Sequence, residues 1–130
     1  MTSPLLTALL GGLERVLPDA AVLRRAIHAD PYLSGAEGPT RDRFTAEAGW
    51  LDWRPLAGTG AWARTGPGGP AVGLRAELDA LPVPEATGVE WASRNPGVMH
   101  ACGHDIHLAA LWAVLSAARG LELPVGLVPI

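Results

Sequence analysis

Residues 99–107 read Met99-His100-Ala101-Cys102-Gly103-His104-Asp105-Ile106-His107 and bring together three histidines, one aspartate and the only cysteine of the chain. Thiolate sulfur and imidazole nitrogen suit borderline metals such as zinc, manganese or cobalt better than calcium or magnesium. Alternate residues of an extended segment point the same way, so Cys102 and His104 can reach one cation. Gly103 lets the backbone bend between them. The stretch therefore predicts a metal site with Cys102 and His104 among its ligands.

The same stretch allows a second chemistry, in which a neighbouring histidine activates Cys102 as a nucleophile. We rank it behind metal binding, because a second donor two residues away favours chelation over proton transfer. A lone cysteine is more often a small buried hydrophobic residue than a ligand. Four candidate side chains on one loop exceed what packing alone requires.

The stretch lies between an expected strand and an expected helix. A buried strand is predicted over residues 71–78, followed by a long irregular loop from Pro82. A helix is predicted over residues 104–119, ending at Gly120, and its apolar residues cover most of its circumference, as in a helix inside a larger body. A buried parallel strand is predicted over residues 125–130. Loops that join a strand end to a helix start often carry the sites of α/β proteins.

The N-terminal residues predict two successive helices. Leucines at helical spacing predict a helix over residues 3–16, and Asp19 is expected to begin another that ends near Ala29. Arg24 and Arg25 are expected on a solvated face of this second helix.

Proline and tryptophan positions outline the middle of the chain. Pro39 suits the first turn of a third helix over residues 40–48. Trp53 and Trp62 flank a short loop over residues 54–60 and predict a pair of strands. Helices that alternate with strands predict the α/β class, with a central sheet flanked by helices.

Composition excludes several classes of function. The chain has 130 residues, enough for one domain, and a net charge of −3, so no basic surface for nucleic acid is expected. No segment approaches the length that spans a bilayer, so no membrane role is expected. A single cysteine cannot form an internal disulfide. These features predict a soluble, cytoplasmic protein.

Three segments occur in the order typical of one known family. They are Arg24-Arg25-Ala26-Ile27-His28 with Pro31, Leu33-Ser34-Gly35 and Glu37; Leu74-Arg75-Ala76-Glu77-Leu78-Asp79-Ala80-Leu81-Pro82-Val83 with Glu85; and Gly97-Val98-Met99-His100-Ala101-Cys102-Gly103-His104-Asp105 with His107. The chain thereby resembles the amidohydrolase branch of the M20 metallopeptidases. That branch includes hippurate hydrolases, N-acyl-amino-acid amidohydrolases and plant enzymes that cleave auxin conjugates.

The resemblance implies a hydrolase with a two-metal site, manganese or zinc, acting on an N-acyl amino acid or a related small amide. It implies Cys102 and His104 as metal ligands and Asp79 as the catalytic-site carboxylate that orients the site from the strand end. Asp105 and His107 are expected to fix the loop and the tautomer of His104. In the family a glutamate acts as the general base on metal-bound water.

Two departures from the family pattern shape the expectation for this chain. Glu77 stands where the family usually has aspartate, and we interpret it as a tolerated change near the site. Family members are several-fold longer, and the resemblance places the glutamate pair beyond residues 125–130. Residues 1–130 are therefore expected to be an N-terminal fragment of the catalytic domain, without the lid or dimerisation domain and inactive alone.

Two further interpretations stay open from the sequence. His100 and His107 could complete a makeshift metal site, although the resemblance does not support them as ligands. The alternative function is a non-catalytic remnant of the fold that binds metal or associates, for example as a homo-oligomer.

Overall fold

The structure, a computed structural model, describes residues 3–130. The elements in order are α1 (Pro4–His28), α2 (Gly38–Glu47), β1 (Arg54–Leu56), β2 (Gly60–Trp62), β3 (Ala71–Leu74), α3 (His104–Ala118) and β4 (Gly126–Pro129). Helices and strands occur together, and α3 connects the parallel strands β3 and β4, so the predicted α/β class is confirmed. None of the described helices is both long and apolar enough to cross a membrane.

The N-terminal residues form one helix, so the prediction of two separate helices is wrong. α1 runs through Pro18, which lies on the exposed side of the helix. Proline removes one backbone hydrogen bond, and on a solvated face water can satisfy the carbonyl that is freed. Buried residues on both sides of Pro18, including Gly12 and Ala20, pack as one continuous face. This tertiary packing outweighs the local preference of proline.

The core lies between α1, α2 and α3. Its buried apolar cluster consists of Leu23, Ile27, Phe44, Leu108, Leu111 and Leu115. At Gly12 the two long helices approach so closely that an added Cβ would lie 3.0 Å from the Cβ of Ala117. The apolar surface predicted for the last helix therefore serves mainly to pack against α1.

Two small sheets complete the fold. β1 and β2 form the predicted pair of strands and run antiparallel, although β1 occupies residues assigned to the connecting loop. β3 and β4 pair in parallel, with Ala71 opposite Gly126 and Leu74 opposite Pro129, which confirms the expected parallel strand.

The prediction of a buried strand over residues 71–78 is wrong in two respects. The regular ladder covers only residues 71–74, and residues 71–73 are exposed. Burial begins at Leu74 and continues at Ala76 and Leu78, which pack against the core at alternate positions. The chain beyond β3 then forms two isolated β-bridges, one between Leu33 and Ala80 and one between Leu81 and Met99. This extension brings residues 77–79 to the start of α3.

Candidate metal centre

His104 is the first residue of α3 and follows Gly103, whose φ of +88° favours glycine. Its Nδ1 lies 2.9 Å from the backbone oxygen of Asp79 and 3.1 Å from the Asp79 carboxylate. An imidazole that donates from Nδ1 keeps the lone pair of Nε2 for a metal. The side chain of His104 is 17% exposed, so the ring is held in place but is still accessible to solvent. This geometry suits a metal ligand whose orientation is fixed before the metal binds.

Asp79 therefore contacts His104, the residue that it was predicted to orient. The segment around it is fixed by backbone hydrogen bonds: Ala80 donates to the oxygen of Tyr32 at 2.8 Å, and Leu81 and Met99 exchange bonds of 2.9 and 3.0 Å. The Asp79 carboxylate thus contacts His104 from a segment whose backbone is held by hydrogen bonds on its C-terminal side. Its assignment as a catalytic residue stays a prediction.

Glu77 and His107 form a second pair beside His104. The Glu77 carboxylate lies 2.8 Å from Nδ1 of His107. The hydrogen bond from His107 holds the pKa of Glu77 below its usual value, against the opposing effect of burial. One ligand atom from each of Glu77, His104 and His107 lies within 4.8 Å of the others. Two imidazoles and a carboxylate are a donor set that suits zinc or manganese, so the residues present fit a divalent cation.

This three-residue donor set was not foreseen in full. Glu77 was interpreted as a tolerated change, and the separation of 30 positions between it and His107 hides their contact from any local motif. The only available signal was the i, i+3 spacing of His104 and His107, which places both on one face of a helix.

Cys102 lies on the exposed turn just before α3, with a free thiol. Among residues 3–130, the donor set that the structure brings within 4.8 Å does not include it. Its role as a ligand beside His104 stays a prediction. His100 is likewise outside this set, and its side chain is buried.

Behind the candidate metal-binding turn, residues 101–103 before α3, lies a buried ion-pair network made of Arg24, His28, Glu85 and Asp105. Asp105 accepts from Nε of Arg24 at 2.7 Å and from Nδ1 of His28 at 2.8 Å. His28 Nε2 lies 3.1 Å from the carboxylate of Glu85. The prediction that Arg24 faces solvent is therefore wrong, because its guanidinium reaches inward to a carboxylate that is 0% exposed.

Glu85 connects this network to the loop before the turn. Its carboxylate also accepts from the Thr87 hydroxyl at 2.5 Å and from the backbone N–H of Ser93 at 2.6 Å. Burial alone raises the pKa of Glu85, but the bonds from Thr87, Ser93 and His28 together bring it below its usual value. The charged form of Glu85 is thus the one that the fold accommodates.

His100 lies next to this network, with its ring centroid 6.3 Å from that of His28. It is 3% exposed, and neither ring nitrogen has a partner within the described residues. Burial lowers the pKa of His100 more than the nearby Asp105 raises it. The ring is therefore held in its neutral form.

Acid is expected to destabilise the fold through Glu85. A carboxyl whose folded pKa is lowered contributes stability above its usual pKa of 4.5, and this contribution is lost as pH falls through the lowered value. Urea unfolding between neutral pH and about pH 3 should therefore show a falling free energy of unfolding, with a smaller slope in Glu85→Gln. Glu122→Gln, at an exposed position, is the matched control and should keep the wild-type slope. An unchanged slope in Glu85→Gln would contradict this prediction.

Comparison with known proteins places the chain in a family. Residues 73–124 match the model of peptidase family M20/M25/M40. An N-acyl-L-amino acid amidohydrolase of Geobacillus stearothermophilus is 42% identical over 104 residues, which cover 75% of this chain and 28% of that protein. A Rhodococcus jostii protein that carries the name of a glutamate–cysteine ligase is 46% identical over 101 residues, which cover 72% of this chain and 12% of that protein.

A solved structure agrees with the sequence comparison. The Bacillus subtilis YxeP protein, described as a dinuclear metal-binding peptidase of the M20 family, superposes with a TM-score of 0.80 at 31% identity. The match covers 89% of this chain and 35% of the YxeP chain. The chain spans only 12% and 28% of the two curated relatives named above. The motifs, the fold and these matches agree, and the chain belongs to the amidohydrolase branch of peptidase family M20.

Proposed function

We propose that these residues form part of the catalytic domain of a metal-dependent amidohydrolase acting on N-acyl amino acids or related small amides. His104 and Cys102 are its metal ligands, and Asp79 orients His104. The observation that carries the proposal is the double contact of His104 Nδ1 with Asp79, at 2.9 Å to the backbone oxygen and 3.1 Å to the carboxylate. The similarity to an N-acyl-L-amino acid amidohydrolase supports the substrate class.

The chain's own residues prepare the site for hydrolysis. A divalent cation, when bound, supplies a water of lowered pKa and polarises the scissile carbonyl. Asp79 accepts a hydrogen bond from the Nδ1–H of His104 and so fixes the tautomer that presents Nε2. Cys102 would hold a bound cation as a thiolate ligand, whose negative charge would offset part of the positive charge at the site. The nitrogen and sulfur donors favour zinc, and the carboxylates beside them also suit manganese.

The proposal also covers the place of the chain within the whole enzyme. Residues 1–130 correspond to the N-terminal portion of the catalytic domain, and the lid or dimerisation domain lies outside them. The general-base glutamate and the further metal ligands of the family lie outside them as well. The free thiol of Cys102 favours a reducing compartment such as the cytoplasm.

A polypeptide of these 130 residues is expected to bind a divalent cation without turning over substrate. It offers His104 with candidate partners but no oriented general base, and both are needed for attack on the amide. Calorimetric titration with Zn²⁺ or Mn²⁺ should show binding, and hippurate and N-acetyl amino acids should stay intact in the loaded sample. Absence of binding would overturn the proposed metal centre, and metal-dependent turnover would overturn the expected inactivity.

A second candidate function, association through an apolar surface, is favoured by exposed side chains on α1. Leu6, Leu10, Leu17 and Val22 are 47% to 65% exposed. Apolar area of this kind is typical of contact surfaces. Sedimentation velocity over a range of concentrations should then show a dimer or larger species. A monomer at every concentration would exclude this candidate.

A further inference from the structure

We propose that the buried ion-pair network of Arg24, His28, Glu85 and Asp105 is the positioning element of the metal centre, setting the position of His104 against Asp79. The proposal rests on the proposed function, because it takes His104 as a metal ligand. The network contacts neither the Glu77–His107 pair nor the ring of His104 within hydrogen-bond distance. It acts instead through the backbone that carries His104.

The end of α1 is the common support of both partners in the His104–Asp79 contact. Asp105, which directly follows His104, is tied to the last two turns of α1 by bonds of 2.7 Å from Arg24 and 2.8 Å from His28. On the other side, Ala80 directly follows Asp79 and donates to Tyr32, four residues beyond α1, at 2.8 Å. The 2.9 Å contact of His104 is therefore set by two attachments to one short segment.

The loop that leads into the metal-binding turn is tied to the same segment. Glu85 joins it to His28, and the N–H of Ser93 binds the other carboxylate oxygen of Glu85 at 2.6 Å. Asn95 donates its side-chain amide to the oxygen of Pro31 at 2.7 Å. Residues on both sides of the loop thus converge on α1 and the turn after it, which fixes the entry of the chain into the turn that carries Cys102.

The burial of these charges points to a positioning role rather than to stabilisation alone. The side chains of Asp105, His28 and Glu85 are 0%, 4% and 4% exposed. Both nitrogens of His28 face carboxylate oxygens, at 2.8 Å from Asp105 and 3.1 Å from Glu85. Buried ion pairs add little net stability over apolar packing, whereas their directional bonds hold a defined geometry.

The experiment compares Arg24→Met, Arg24→Lys and Asp105→Asn with the wild-type polypeptide. Arg24 is the preferred site because its side chain is 29% exposed and its replacement leaves no cavity in the core. The first measurement is the long-range ¹H–¹⁵N spectrum of the imidazole rings without metal, which reports the tautomer of His104. The second is the affinity for Co²⁺ from its visible absorption. Leu115→Ala is the matched control, since Leu115 is buried in the same α1–α3 interface, at the opposite end of α3 from His104.

We expect Arg24→Met and Asp105→Asn to mix the tautomers of His104 and to weaken Co²⁺ binding by roughly tenfold, the usual cost of losing a group that orients a ligand. Arg24→Lys should restore both readouts in large part, and Leu115→Ala should lower stability while it leaves both unchanged. A wild-type tautomer in Arg24→Met and Asp105→Asn would overturn the positioning role. If the wild type binds no Co²⁺, the proposed function fails, and the tautomer measurement still decides this inference.

Discussion

Replacing Asp105 by alanine is expected to lower the free energy of unfolding by about 3–5 kcal/mol, the cost of removing one partner from a buried ion pair. The carboxylate is 0% exposed and accepts from both Arg24 and His28 through one oxygen. Without it, His28 stays buried with a ring nitrogen that has lost its acceptor. Arg24, at 29% exposure, can turn toward solvent, so most of the loss falls on His28.

Urea unfolding monitored by far-ultraviolet circular dichroism gives this free energy. The matched control is Asp52→Ala, because the Asp52 side chain is 85% exposed and meets only Arg54, at 3.4 Å. That replacement should change stability by no more than about 0.5 kcal/mol, as is usual for exposed ion pairs. A loss below about 1 kcal/mol for Asp105→Ala would contradict this prediction, since the network would then contribute little to the free energy of unfolding.

The sequence predicts the elements of this fold well where periodicity is local. Helix α3 was expected over residues 104–119 and covers residues 104–118, because its continuous apolar pattern ends at a glycine. A parallel strand over residues 125–130 was also foreseen from apolar composition, and the structure shows that its partner is β3. The break expected at Pro18 was wrong, since a proline on an exposed helix face costs less than the packing it would interrupt.

The side chains around the site are predicted less completely than the elements. Cys102 and His104 are neighbours in the sequence, so a local motif reveals them. Arg24 was misplaced because a helical pattern shows which face is apolar, whereas only the tertiary fold shows that Asp105 lies within reach of the polar face. Contacts across 77 and 81 residues, as in the ion-pair network, carry no signal in a single sequence.

Replacing His104 by alanine is expected to weaken Co²⁺ or Zn²⁺ binding by more than about 100-fold, since loss of an outer partner alone costs about 10- to 100-fold. His104 belongs to the triad with Glu77 and His107, and the proposed function also pairs it with Cys102. Its loss removes the one nitrogen common to both. The fold should persist, because the ring is 17% exposed and lies outside the apolar core.

The two donor sets are separated by Cys102→Ser and His107→Ala in the same titration. Coordination by Cys102 predicts a sulfur-to-cobalt charge-transfer absorption in the near ultraviolet, which Cys102→Ser abolishes and His107→Ala retains. If the cation instead sits between Glu77, His104 and His107, His107→Ala weakens binding and Cys102→Ser leaves it unchanged. Full retention of affinity in His104→Ala would contradict both arrangements. Because the thiolate is the softer donor, the pairing of Cys102 with His104 is the outcome that we expect for zinc and cobalt.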